Sequence, residues 1–323
     1  MKRFFLLSGT LWLSVFLLPL FTPHDEMPLL RAPETEAVAV DAETNVTVLT
    51  GGKVETLPLD VYLQGVVAAE MPALFPEEAL KAQAVAARTY TMKRASETPA
   101  ASHKGAMVCD DPNHCKAYQP LAAISANWGA SSADYEEKIK SAVGETDGEI
   151  LLYEGEPISA VFHSSCAKKT EAAADVWGRD VPYLQSVESV GDTDAPNHEK
   201  TVRVPIEEFR TKVLATYATA DFSKSPVFGE PVRSAAGGVK TISVGGVNIT
   251  GQQLRMMFGL RSANFTVSEE ADAVVFQTVG FGHGVGMSQY GARGLALQGM
   301  EYREILAHYY TGTQLGKIEK KEV

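Results

Sequence analysis

Every second residue from Gly280 to Gly286 is glycine, with Phe281, His283 and Val285 between them. A backbone stripped of side chains at alternate positions admits another backbone, or a ligand, at close range. The run 274–279 ahead of it reads as a strand, and 288–297 behind it reads as a helix. The chain must therefore fold so that a strand passes through a crowded junction before turning into a helix. This is not a phosphate-binding loop, because no lysine follows and the glycine spacing is wrong. His283, Ser288, Gln289 and Tyr290 bring hydrogen-bonding groups and one aromatic ring to the junction. A lone histidine at such a turn equally suits an internal hydrogen bond.

A second constraint is the setting of one carboxylate. Glu70 follows Val66, Val67, Ala68 and Ala69 and precedes Met71 and Pro72. Apolar surroundings disfavour the charged form of a carboxyl group, so such a group keeps its proton more readily. A protonated carboxylic acid is what breaking a glycosidic bond requires. A short helix is expected over 60–69 with Asp60 as its cap. A longer helix starts at Pro76 and runs to about Arg94, with Glu77 and Glu78 in its first turn, where the helix dipole favours them. Lys81 and Arg88, seven residues apart on it, share nearly one helical stripe. An acid beside a cationic face of small residues suits a polysaccharide site. It also suits a helix-end glutamate paired with Arg88, and these residues alone leave both readings open. A serine nucleophile is a poor alternative, since the chain has no G-x-S-x-G elbow.

The segment 96–134 reads as largely irregular and contains His103, Cys109, His114 and Cys115. Two imidazoles and two thiolates make a complete tetrahedral set for a structural zinc ion, although the spacing is not that of a zinc finger. A Cys109–Cys115 disulfide is the alternative outside the cytoplasm. With Cys166 the chain has three cysteines, an odd number that excludes a fully intramolecular disulfide framework. Cys166 is then expected as a free thiol.

The net charge of −11 argues against a general nucleic-acid binder. Lys2 and Arg3 precede an uncharged run over 4–21, which reads as an uncleaved membrane anchor with its basic end inside; a cleaved signal peptide is the alternative. Residues 22–45, rich in Pro, Glu, Thr and Ala, read as a solvated stalk. Beyond it, 46–49 and 53–57 read as a hairpin about Gly51-Gly52, and 150–153 with 158–163 as strands paired around Glu154-Gly155. The balance of elements over 46–318 predicts an α+β fold with an antiparallel sheet, in two lobes around a groove.

Three ordered blocks carry a resemblance: VVAAEMP at 66–72, EALKAQAVAARTY at 78–90 and GFGHGVGMSQYGA at 280–292. They resemble the stage II sporulation protein D family, which shares its domain with bacterial amidase enhancers. The resemblance runs from about Asn45 to Leu315. It implies a membrane-anchored lytic transglycosylase that cuts peptidoglycan glycan strands during spore engulfment, in the mother-cell membrane at the septum. Such an enzyme needs one carboxylate, because the sugar's own 6-hydroxyl attacks the anomeric carbon. Glu70 would give its proton to the leaving oxygen and then take that of the hydroxyl. The resemblance further implies a substrate stripped of stem peptides by a partner amidase, stage II sporulation protein P, with the multi-pass protein M as third member. It extends the substrate-binding set to Ser164, Ser165 and Tyr183, beside Lys81, Arg88, His283, Gln289 and Tyr290. The CAKKT run at 166–170 departs from the glycine-rich segment usual after the serines. Some members bind zinc through the pattern of His103, Cys109, His114 and Cys115. A non-catalytic wall-binding enhancer of the partner amidase is the other function compatible with the family.

Overall fold

The first hairpin forms where sequence chemistry requires it. Strands Asn45–Thr50 and Lys53–Pro58 pair antiparallel across Gly51 and Gly52, both at positive φ. The computed structural model describes residues 38–40, 44–112 and 114–320. The expected membrane span over 4–21 lies outside them, as does most of the expected stalk. Among the described residues no helix is long and apolar enough to cross a membrane.

The hairpin leads into helix Leu59–Glu70, whose N-cap is Pro58. Asp60 sits in the first turn and complements the dipole instead of capping. The long helix Glu77–Ala95 is the hub of the larger core. Its Ala79, Ala82, Ala84, Ala86 and Ala87 are all buried. Small side chains on several sides let the helices Leu59–Glu70, Ser132–Glu145, Gln289–Leu297 and Tyr302–Tyr309 and the strand Glu149–Tyr153 pack against it.

Strand Glu149–Tyr153 lies between Glu156–Pro157 and Gln314–Lys320 in a four-stranded sheet. Val38–Val40 adds parallel to Gln314–Lys320. These three residues fall within the segment expected as a stalk, and their β-branched pattern instead completes a sheet edge. The expected pairing of 150–153 with 158–163 also differs. One bond continues past Pro157, the Ile158 N–H donating to the Leu151 carbonyl at 3.2 Å, and the chain then leaves the ladder. Phe162–His163 pair parallel with Met287–Ser288, at the end of the glycine block.

Residues 199–279 build a second hydrophobic cluster. Strands Phe265–Glu269, Ala273–Val279 and Glu199–Pro205 form an antiparallel sheet. Phe276 is fully buried and packs against Phe209, Phe258 and Phe265. Helix Gly251–Phe258 starts in a reciprocal capping box, with Thr250 accepting from the Gln253 N–H and the Gln253 amide oxygen accepting from the Thr250 N–H. The fold is α+β, as its sequence leads one to expect, with parallel pairs among its antiparallel sheets.

Candidate active site and metal-binding cluster

Glu70 is the last residue of its helix. The valines before it, Val66 and Val67, turn into the core, while Glu70 itself is half-buried. Both of its carboxylate oxygens are engaged. The Ala117 N–H donates to Oε1 at 2.8 Å, and the Gln289 side-chain amide donates to Oε2 at 3.1 Å. The carboxylate therefore meets two polar donors brought from elsewhere in the chain.

Each donor is placed by its own local structure. Gln289 opens the helix Gln289–Leu297, and Ser288 caps that helix by accepting from the Gly291 N–H. Ser288 is anchored in turn by donating to Asp192 Oδ1 at 2.5 Å. Asp192 is buried and also accepts from the Cys166 N–H at 2.8 Å and from the Ser189 hydroxyl at 2.5 Å. One carboxylate thus ties the serine turn and the loop around 189 to the start of the Gln289 helix. Gly286 makes the approach to that helix possible: it has φ 72°, and a Cβ there would lie 2.2 Å from the Val161 carbonyl oxygen.

Ala117 is brought to Glu70 by close packing on the same helix. A Cβ at Gly65 would stand 2.4 Å from the Gln119 carbonyl oxygen and 2.6 Å from the Tyr118 ring, so only glycine lets this segment lie so near. Lys116, immediately before Ala117, is buried, with its ammonium 3.6 Å from the Phe162 ring centroid and 4.4 Å from that of Tyr90. Burial pulls its pKa down to about 8, against the opposing attraction of Glu70 and then Cys115.

The same segment carries the His/Cys cluster. Strand Val108–Cys109 pairs parallel with Asn45–Thr50 and so fixes Cys109. His103 Nε2 lies 2.8 Å from His114 Nδ1 and 3.4 Å from Cys115 Sγ; His114 Nδ1 lies 3.7 Å from Cys109 Sγ and 3.6 Å from Cys115 Sγ. The four ligand atoms all lie within 4.8 Å of one another. Such separations suit four vertices about one metal ion with metal–nitrogen and metal–sulfur distances of about 2.0–2.3 Å. Cys109 and Cys115 are free thiols, so the structure does not contain the alternative disulfide. Cys166 is free as well, and burial pushes its thiol pKa up.

The remaining residues singled out from the sequence divide into separate places. Lys81 is held by Glu77 at 3.1 Å, Glu78 at 3.1 Å and Glu145 at 2.7 Å. Arg88 is fully buried and donates to the carbonyls of Val143 at 3.1 Å and Glu149 at 3.2 Å. The stripe they share is real, but Arg88 cannot line an open groove, and Lys81 already has three carboxylate partners. The Tyr183 hydroxyl accepts from the Ser159 N–H at 3.2 Å, and its ring packs against Tyr153. Ser164 offers its carbonyl oxygen to the Tyr290 N–H at 3.0 Å, and the Tyr290 ring meets Phe75 edge-on. Ser165 and His283 instead line a cavity of about 450 Å³, together with Cys166, Glu171, Trp177 and Asn264. Glu70 and Gln289 are not among its walls. His283 Nδ1 accepts from the Val285 N–H at 3.0 Å, and burial holds the imidazole neutral. In that cavity Glu171 accepts from the Gly238 N–H at 3.0 Å, and burial raises its pKa.

A family model described as stage II sporulation protein, SpoIID, matches residues 50–153. The chain is 38% identical to stage II sporulation protein D of Bacillus subtilis (strain 168) over 267 residues, covering 82% of this chain and 76% of that protein. It is 37% identical to stage II sporulation protein D of Bacillus amyloliquefaciens, again over 82% and 76% of the two chains. The chain belongs to the stage II sporulation protein D family. A more distant relative, the amidase enhancer of Bacillus subtilis (strain 168), is 29% identical over 78% of this chain and 40% of its own length.

In this member of the family several groups at the site escape a reading of the sequence. Ala117 acts through its backbone, so its side chain gives no sign of it. Lys116 beside Cys115 has the look of a surface lysine on a loop; only the flanking apolar and aromatic residues, Cys115, Ala117 and Tyr118, hint at burial. Asp192 sits among Gly191, Thr193 and Asp194 in a polar stretch that reads as an ordinary turn.

Proposed function

We propose that this protein is a peptidoglycan lytic transglycosylase acting in sporulation, with Glu70 as its general acid and base. The observation that carries the reading is the grip on Glu70: a half-buried carboxylate held at both oxygens by neutral donors from distant parts of the chain. Two fixed donors set the direction in which the carboxyl presents itself, and a positioned acid is what glycosidic cleavage asks of a protein. Glu70 gives its proton to the glycosidic oxygen as the bond to the anomeric carbon breaks. The 6-hydroxyl oxygen of the same sugar then bonds to that carbon and returns its proton to Glu70. The products are a free 4-hydroxyl end and a 1,6-anhydro-muramic end. No second carboxylate is required, and both donors to Glu70 are N–H groups.

His103, Cys109, His114 and Cys115 would hold one zinc ion in this reading. Four protein ligands leave no open position for water, so the ion's contribution is structural. Its place in the chain matters because Cys115 is two residues from Ala117. The protein is anchored in the membrane by 4–21 with its remaining residues outside the cytoplasm, and it works on glycan denuded by stage II sporulation protein P, with protein M as a further partner.

A second reading has a specific observation in its favour, the similarity to an amidase enhancer. There the protein binds the wall and stimulates the partner amidase without cutting glycan. One experiment separates the two. The full-length protein and its Glu70→Gln variant are incubated with denuded glycan, and the products are weighed. The lytic reading expects anhydro-ended fragments from the parent and a loss on the order of 10²–10⁴ in rate for the variant. Equal cleavage by both would place the acid elsewhere. No cleavage by either, with equal stimulation of the amidase, would establish the enhancer.

A further inference from the structure

Three of the alternating glycines serve the cavity at Ser165 and not the carboxylate of Glu70. Gly282 and Gly284 are in its wall. A Cβ at Gly280 would stand 2.7 Å from the Ser165 carbonyl oxygen, and one at Gly284 would stand 2.8 Å from Glu171 Cγ. Gly238 closes on the same carboxyl from another segment, where a Cβ would lie 2.3 Å from Glu171 Oε1. Glycine at these positions makes room for the Ser165 turn and for Glu171. The hollow so framed measures about 450 Å³, a size that suits a small molecule or one unit of a polymer.

The chemistry of the wall narrows the choice of guest. Ser165 is 2% exposed, and its hydroxyl has no hydrogen-bond partner among the described residues. A buried hydroxyl left in that state is costly, and a guest that bonds to it removes the cost. Trp177 ends the helix Ala173–Trp177, lines the same cavity and is 46% exposed, so its indole offers a flat apolar face. Two of the charged pairs at the wall are already complete, Asp175 with Lys240 at 2.6 Å and Lys169 with Glu188 at 2.8 Å. Burial raises the pKa of Glu171, which favours its uncharged acid, a donor as well as an acceptor. The cavity therefore suits an uncharged guest with a flat face of C–H groups and with polar groups that both donate and accept. A pyranose ring has that face and those hydroxyls. An acetamido substituent adds an N–H next to a C=O, the complement of a carboxylic acid.

We propose that this cavity seats one N-acetylated hexosamine ring of a glycan strand, a ring other than the one cut at Glu70. Trp177 takes the C–H face of the ring, Ser165 a hydroxyl and Glu171 the acetamido group. Two adjacent residues connect the cavity with the acid. The Ser164 carbonyl accepts from the Tyr290 N–H, next to the Gln289 that holds Glu70, and Ser165 lines the cavity. A strand gripped at a second ring stays in place while the acid works. The uncharged, acetamido-bearing ring is read from the cavity; its membership of a wall strand rests on the lytic reading.

The test titrates the full-length protein with N-acetylglucosamine and its β-1,4-linked oligomers, with glucose as the ring that lacks the acetamido group. N-Acetylglucosamine should bind saturably, and glucose at least about tenfold more weakly, the scale of one or two hydrogen bonds. Trp177→Ala should weaken N-acetylglucosamine by about tenfold, the scale of one ring contact. Glu171→Gln keeps a donor beside an acceptor and should bind as the parent does, whereas Glu171→Ala should not. Glu70→Gln should bind the monosaccharide like the parent. Absence of saturable binding, equal binding of glucose, or undiminished binding by Trp177→Ala each overturns the assignment, whether or not Glu171→Ala folds. Loss of monosaccharide binding in folded Glu70→Gln also overturns it, because the ring would then sit at the acid. Cleavage of denuded glycan by the parent is scored separately. If the parent cuts strands but shows no Trp177-dependent binding, the cavity loses this role and the lytic reading stands. If it cuts nothing yet binds as expected, the lytic reading falls and the cavity keeps its role as a sugar site.

Discussion

Gln289 and Arg88 both belong to family-like blocks, yet they do different physical work. Gln289 touches the Glu70 carboxylate, so its loss should be read in catalysis. Gln289→Leu removes one hydrogen bond to a charged group, worth about 1.5–3 kcal/mol, or roughly ten- to a hundredfold in rate. Its melting temperature should change little, and the cleavage assay beside a thermal melt checks both halves. Arg88 is the reverse case. It is fully buried and satisfies the carbonyls of Val143 and Glu149 where the helix Ser132–Glu145 meets the strand Glu149–Tyr153. Arg88→Met strands those acceptors and should cost about 2–4 kcal/mol of stability. Urea unfolding measures it, and a variant as stable as the parent would show the bonds to be dispensable. Sequence alone put both in one groove, Arg88 from the helical stripe it shares with Lys81 and Gln289 from the glycine-rich block. It lacked the sign that separates them, namely which face of the long helix meets another backbone. One local clue to Lys81 was available: Glu77 and Glu78 stand four and three residues before it, the spacing of helical ion pairs.

Among the elements, the irregular segment 101–119 decides how the acid is held. It has little core of its own, a two-residue strand, and the four metal-ligating side chains. Metal binding to such a segment is coupled to its folding. Cys109→Ser should therefore lower the metal content and the melting temperature, and should also slow cleavage at temperatures where the rest of the protein stays folded. The activity loss follows because the Ala117 N–H is released from Glu70. Elemental analysis, a melt and the glycan assay together check this; full activity in a metal-free variant would uncouple the cluster from the acid. The elements themselves were largely legible. The helix over 77–95 and the hairpin at Gly51-Gly52 follow from local rules that need no partner. What failed was pairing. The strand at 162–163 was visible as an apolar run, but nothing in its alternation names Met287–Ser288, more than a hundred residues away, as its neighbour. The site failed for the same reason, since Glu70 and Gln289 are 219 positions apart and join only in three dimensions.

At the scale of the whole molecule, two hydrophobic clusters share the work. The larger surrounds the long helix and bears Glu70, and the smaller is built on the phenylalanines of 199–279. Phe276→Ala empties the centre of the smaller cluster and should cost about 3–5 kcal/mol. Its metal content at low temperature should match that of the parent, because the cluster of His and Cys ligands packs elsewhere. Calorimetry and elemental analysis test the pair of statements, and a simultaneous loss of metal would mean that the two clusters unfold as one.

The grip on Glu70 also has a consequence for how the chain is born. Its acid is made before either holder: the backbone group that holds one oxygen follows 47 positions later, and the amide that holds the other 219 positions later. A chain halted or clipped between Glu70 and Gln289 carries the acid without its full set of holders. For a protein read as a cutter of the cell's own wall, copies lacking the Gln289 segment should be blunt.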